Sequence, residues 1–215
     1  MAQSKSGERT AFVLAGGGSL GAVQVGMLAE IIGAGVRPDV IVGVSAGALN
    51  GAFLAFDPSP KMVEQMAVLW SRMTTKEVQG LSWRSLLGLL GLRDHIASPE
   101  GLRSLLKREL PYRTFAETAV PLHVVCAELV TGEAVVISSG NMAEAIIAST
   151  AIPGVFPPVE REGRYLVDGA VAASTPISVA AALGATRIIV LPSRCRLGNS
   201  GSQYLTQAVV LRIAS

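Results

Sequence analysis

Short strands that are apolar on both faces, each running through a glycine-containing turn into a helix, make this chain an α/β protein built on parallel strands. Residues 11–15 (A-F-V-L-A) and 40–44 (V-I-V-G-V) are two such strands, followed by small-residue helical runs at 21–34 and 46–56. The composition agrees: of 215 residues, 50% are hydrophobic and 16% charged, which suits one sizeable core and not a disordered chain. The expected organisation is an N-terminal tail over residues 1–10 and a single domain over 11–215.

The first strand empties into Gly16-Gly17-Gly18, a loop, and the helix behind it is expected to stop at Gly35. Asp57-Pro58 ends the second helix, because the residue before a proline is driven out of the helical region. Residues 61–109 are helical in pattern. Within them, 81–92 (L-S-W-R-S-L-L-G-L-L-G-L) carry a single arginine and are expected to face the core, with an acyl-chain groove, a lid or transient contact with a membrane surface as the alternative. Residues 121–130 and 133–138 are expected strands of a hairpin that turns at Thr131-Gly132. Residues 141–149 form a short helix with Asn141 as its cap. Three prolines in 151–159 (A-I-P-G-V-F-P-P-V) predict a stiff, extended connection. A strand at 165–167, after the Glu162-Gly163 turn, delivers Asp168-Gly169; Pro176 opens another helix, and 187–191 is a further buried strand. The apolar stretch 208–213 is expected to dock as a final helix or to mark a shortened chain.

A net charge of +2, with no basic run interleaved with aromatics, gives no field for nucleic acid. Cys126 and Cys195 have neither disulfide-framework nor zinc spacing and suit a reducing compartment, the cytoplasm, with peripheral membrane contact at most. The first ten residues lack the apolar core of a signal peptide. Residues 11–29 and 40–56 are free of charge and near the length of a spanning helix, but each breaks into a β-branched run, glycines and a helical pattern, which argues against a transmembrane hairpin. No signal for an oligomeric state is visible.

G-x-S-x-G occurs twice, as G-V-S-A-G at 43–47 and G-G-S-L-G at 17–21. The string alone is weak; its setting decides. Ser45 directly follows a strand and opens a helix, the setting of a nucleophile elbow, where small neighbours let the turn tighten around an exposed hydroxyl. Ser19 comes several residues after its strand. The competing reading of Ser45 is a capping serine in a tight turn. Gly16, Gly17 and Gly18 would present N–H groups at a helix N-terminus, as an oxyanion hole requires. Gly16, Gly18 and Gly21 also fit a dinucleotide fingerprint, but its acid, Asp39, begins the second strand, whereas the fingerprint wants it at the end, where Ser45 stands. A nucleophilic serine needs a base. His95 and His123 are the only histidines and neither lies where a serine–acid–histidine order wants one. Asp168 ends a strand and has small residues after it; a partly desolvated carboxylate can take the proton directly. An Asp-Gly turn is its other reading.

Four blocks, A-G-G-G-S-L-G at 15–21, G-V-S-A-G at 43–47, A-S-T-A-I-P-G-V-F-P-P-V at 148–159 and D-G-A at 168–170, resemble in order those of the patatin-like phospholipases. The resemblance spans about residues 11–191. It implies a three-layer α/β/α sandwich with a mostly parallel central sheet, related to the catalytic domain of cytosolic phospholipase A2. It further implies a Ser-Asp dyad of Ser45 and Asp168, an oxyanion hole at Gly16, Gly17 and Gly18, a lipid acyl-ester substrate, and no metal or organic cofactor. Leu20 stands where the family usually has a basic residue, and Ala170 where glycine is common. The missing cation leaves neutral lipids or small acyl esters open beside phospholipids.

Overall fold

The computed structural model describes residues 7–73, 98–193 and 208–213. β1 (Thr10–Leu14) and β2 (Val40–Val44) are buried along their whole length, because the sheet they share is covered on both faces. Their side chains alternate. Phe12, Leu14 and Ile41 enter a larger core with α1 (Gly21–Gly33), α2 (Ala46–Phe56), α3 (Pro60–Arg72), α4 (Glu100–Glu109) and α5 (Met142–Ser149). Ala11, Val13, Val40, Val42 and Val44 point the other way. There a helical turn, α6 (Ala170–Ala173), leads into α7 (Ile177–Ala182), whose Ala180, Ile177 and Val179 close a smaller core. The result is three layers. Caps start two of the helices: Ser59 Oγ accepts the Met62 N–H ahead of α3, and Asn141 Oδ1 the Glu144 N–H ahead of α5.

β3 (Leu122–Glu128), β4 (Ala134–Ile137), β5 (Val159–Arg161), β6 (Arg164–Asp168), β7 (Arg187–Leu191) and β8 (Val209–Arg212) complete the sheet. Hydrogen-bonded neighbours run β5-β6-β3-β2-β1-β7-β8, with β4 also on β3. β7, β1, β2 and β3 are parallel and the outer pairings antiparallel. β3 is the pivot. β4 takes one of its edges along Val124 to Ala127, and β2 takes the other from Leu122 to Val125. From Cys126 to Glu128 the β2 edge passes to β6, which runs the opposite way. Two strands therefore end head to head on one edge of β3, Val44 opposite Val125 and Asp168 opposite Cys126.

Three expectations need correction. Residues 208–213 carry strand β8, antiparallel to β7, and not a helix; four residues with a Val-Val pair satisfy their backbone better on the open edge of β7 than in a single helical turn. The connection 151–159 is not extended throughout: Ile152 C=O accepts from Val155 N at 3.0 Å, and Gly154 has φ +78°, a type II turn with proline and glycine at its centre. Val159 belongs to an unforeseen strand, β5, joined to β6 through Glu162 and Gly163, both with positive φ as a two-residue hairpin loop needs. The apolar segment 81–92, His95 and Cys195 lie outside the described residues. No helix among the described residues is long and apolar enough to cross a membrane; residues 11–29 and 40–56 each divide into strand, turn and helix.

Candidate active site

Ser45 leaves β2 with φ +54° and ψ −122°, a strained conformation that costs about 1–3 kcal/mol and that glycines on both sides make possible. A Cβ on Gly43 would meet the Gly47 carbonyl oxygen at 2.5 Å, and one on Gly47 would collide with the Leu14 carbonyl. The strand and the helix behind it thus approach more closely than any side chain permits. The Ser45 hydroxyl makes no capping bond to α2. It donates instead to Asp168 Oδ2 at 2.7 Å, across 123 positions of sequence.

Asp168 is only 4% exposed and Ser45 only 7%. The second carboxylate oxygen, Oδ1, accepts the Ala170 N–H at 2.8 Å, so the turn reading and the site reading each claim one oxygen. Burial pushes the Asp168 carboxyl above the usual carboxylate range, against the opposing pull of the Ala170 N–H and the Ser45 hydroxyl. Its backbone is pinned as well: Asp168 N–H donates to Ala151 C=O at 2.9 Å. Gly169 has to be glycine, because a Cβ there would strike the Val125 carbonyl and the Val44 side chain.

The glycine loop lies beside this pair, with a Cβ built on Gly16 only 3.4 Å from that of Ser45. The three glycines are not equivalent. The Gly16 N–H is taken by Ser174 C=O at 3.0 Å, and its carbonyl accepts from the Ser193 hydroxyl. The N–H groups of Gly17 and Gly18 have no acceptor among the described residues. Gly17 must lack a side chain because Ser193 occupies that space. Below the loop runs a buried amide network that sequence reading missed. Gln24 Nε2 donates to Ala15 C=O at 2.7 Å and Leu191 C=O at 2.9 Å, and Asn50 Nδ2 donates to Gly21 C=O and Gln24 Oε1, both at 2.9 Å. Trp70 Nε1 completes it by donating to Asn50 Oδ1 at 2.7 Å. One amide in each of two helices, α1 with Glu30 as its only other polar residue and α2 with none, was the available signal.

The rival residues stand apart. Ser19 is exposed in a 3-10 turn over Gly18–Leu20. Asp39 Oδ2 accepts the Thr10 N–H at 2.7 Å, at the opposite end of the strands from Ser45, where no ribose held by the glycine loop could reach it. His123 pairs in register with Val42, and burial, then the Arg9 charge, lower its pKa; no hydrogen bond joins it to Ser45 or Asp168 among the described residues. Cavities of about 760 Å³ between α3 and α4 and about 540 Å³ between α1 and α3 border neither Ser45 nor Asp168.

The sequence pattern described as Patatin-like phospholipase matches residues 12–181. Patatin-like phospholipase domain-containing protein 7 of Rattus norvegicus is 27% identical over 193 residues, covering 89% of this chain and 14% of that protein. Neuropathy target esterase sws of Drosophila melanogaster is 30% identical over 198 residues, covering 89% of this chain and 13% of that protein. The chain thus spans about a seventh of the length of these curated relatives. The crystal structure of VipD from Legionella pneumophila superposes with a TM-score of 0.54 at 16% identity, covering 80% of this chain and 47% of that one, a likeness of fold alone.

Proposed function

Because the chain belongs to the patatin-like phospholipase family, we propose that it is a serine acyl hydrolase that cleaves fatty-acyl ester bonds of lipids through Ser45 and Asp168. The observation that carries this reading is the 2.7 Å bond from Ser45 Oγ to Asp168 Oδ2 at a strained strand-to-helix turn. In the first half-reaction Ser45 Oγ attacks the ester carbonyl carbon while its proton passes to Asp168 Oδ2. The tetrahedral intermediate collapses as the C–O bond to the alcohol breaks, and Asp168 returns the proton to the departing oxygen. Water then attacks the acyl-Ser45 ester, giving its proton to Asp168. Collapse releases the fatty acid, and the proton goes back to Ser45 Oγ.

A carboxylate whose pKa is raised by burial is a stronger base than a solvated aspartate, which suits a dyad without an imidazole. The open N–H groups of Gly17 and Gly18 suit the oxyanion, with Gly16 holding the loop in place through Ser174. Leu20 gives the loop no cation for a phosphate, so the reading covers phospholipids and neutral lipids alike.

A fluorophosphonate probe tests the reading. Label is expected on Ser45, lost in Ser45→Ala and kept in Ser19→Ala, and incubation with mixed lipids is expected to release free fatty acid. Label that survives Ser45→Ala sinks the proposal.

A further inference from the structure

Ser149, the last residue of α5, is fully buried, and its hydroxyl is used twice. It accepts the Ser45 N–H at 2.8 Å and donates to the Val125 carbonyl at 2.6 Å. The register explains why a hydroxyl stands there. On the β2–β3 edge, Ile41 N–H donates to Pro121 C=O at 2.9 Å, and parallel pairing repeats that offset every second residue. Two steps on, the ladder would join Ser45 N–H directly to Val125 C=O. That rung is not made, because Ser45 turns out of the strand at φ +54°. The Ser149 hydroxyl fills the gap, one lone pair toward the donor and its proton toward the acceptor.

We infer that Ser149 is a positioning residue for the dyad: its hydroxyl replaces the ladder bond that the elbow breaks and so holds Ser45 Oγ against Asp168. The inference rests on the reading of Ser45 and Asp168 as the reacting pair. Without the hydroxyl, the buried Ser45 N–H loses its acceptor and the Val125 C=O loses its donor, a loss that relaxation toward the strand recovers. Relaxation restores the direct rung and withdraws Oγ from the carboxylate. The same segment holds the other partner, since Ala151 C=O accepts the Asp168 N–H. Ser149 and Ala151, two residues apart in one segment, therefore align two side chains contributed by distant strands.

The test compares rates of fluorophosphonate labelling in wild type, Ser149→Ala, Ser149→Cys, Ser149→Thr and Thr150→Val. Thr150 is the control, since its hydroxyl bonds only carbonyls of α5. Displacement of the nucleophile by the order of 1 Å slows attack about a hundredfold. Ser149→Ala and the near-isosteric Ser149→Cys are expected to label that much more slowly and to lose kcat on a short soluble ester with KM little changed. Ser149→Thr, which keeps the hydroxyl, and Thr150→Val are expected to stay close to wild type. Wild-type labelling rates in both the Ala and Cys variants overturn the inference while leaving the reading of Ser45 intact; a wild-type protein that takes no label overturns that reading instead.

Discussion

Residues 17–21 and 43–47 spell the same five-residue pattern, and the fold treats their serines in opposite ways. Ser19 lies exposed on a 3-10 turn, whereas Ser45 is buried in a strained turn with a carboxylate on its hydroxyl. The difference begins in the sheet. β2 stops at Val44 on an edge of β3 that β6 then occupies from the other direction, so Ser45 emerges into a junction that already holds Asp168. β1 is flanked by β2 and β7 on its two sides, and the segment after it packs its glycines against Ser45 and Ser193. What the serine of a five-residue pattern meets is set by what its strand leaves unpaired.

The largest expected effect comes from removing what separates the two serines. Asp168→Asn keeps the shape of the side chain but has no proton-accepting oxygen of comparable basicity, so kcat/KM on a soluble ester should fall about a hundredfold to ten-thousandfold. His123→Asn, on the strand beside the junction, should stay within about twofold if Asp168 is the base as proposed, since no proton would then pass through the imidazole. A loss in His123→Asn comparable to that in Asp168→Asn would mean that the base is not Asp168.

The strand-to-helix turn at Ser45 is legible in the sequence. A strand with no polar face followed by small residues marks Ser45, because a buried parallel strand and a tight turn both leave local traces in sequence. Asp168 was legible only as the end of a short strand; its meeting with Ser45 depends on the shared edge of β3, a non-local pairing that no window of sequence contains. Ser149 was hidden for the same reason, since a serine at the end of a helix looks like any other until its two partners are known. The strands β5 and β8 are short, and neither alternates clearly enough to declare itself. The split among the three glycines, one N–H engaged and two open among the described residues, turns on Ser174 at the end of α6, far from the loop in sequence.

A smaller effect sharpens the comparison at the last position of each pattern. A methyl group on Gly47 would drive into the Leu14 carbonyl, which is fixed in the sheet; one on Gly21 would meet the rim of the Trp70 ring at 2.7 Å and the Ala46 methyl at 2.9 Å. The sheet carbonyl cannot yield, whereas the far edge of the indole, pivoting on its Nε1 bond to Asn50, and the Ala46 methyl can each give by a few tenths of an ångström. Gly47→Ala should therefore cost about 3 kcal/mol of stability through overpacking, and Gly21→Ala about 1 kcal/mol. Urea titration of the two variants measures the difference. Equal losses would show that the close approach beneath Ser45 is no tighter than that beneath the loop.

The smallest expected effect is a gain. Because burial raises the Asp168 pKa in the folded state above its unfolded value, the folded protein holds that proton more tightly than the unfolded chain does. Stability from this group is then greatest below the unfolded pKa and declines as pH rises through the window up to the raised folded pKa; above that window the ionised carboxylate is a standing cost. Asp168→Asn removes the cost, and its amide can accept the Ala170 N–H with oxygen while donating to Ser45 with nitrogen. The inactive variant should therefore melt above wild type at pH 7, by a margin that shrinks as the pH is lowered through the titration of Asp168. A variant less stable than wild type at neutral pH would mean that the bonds to the carboxylate outweigh its desolvation. Ser45 would then hold its partner through a net favourable interaction, and not at the expense of stability. Thermal melts of both proteins across the acidic range distinguish the two, because only the desolvation account makes the curves converge at low pH from a more stable variant.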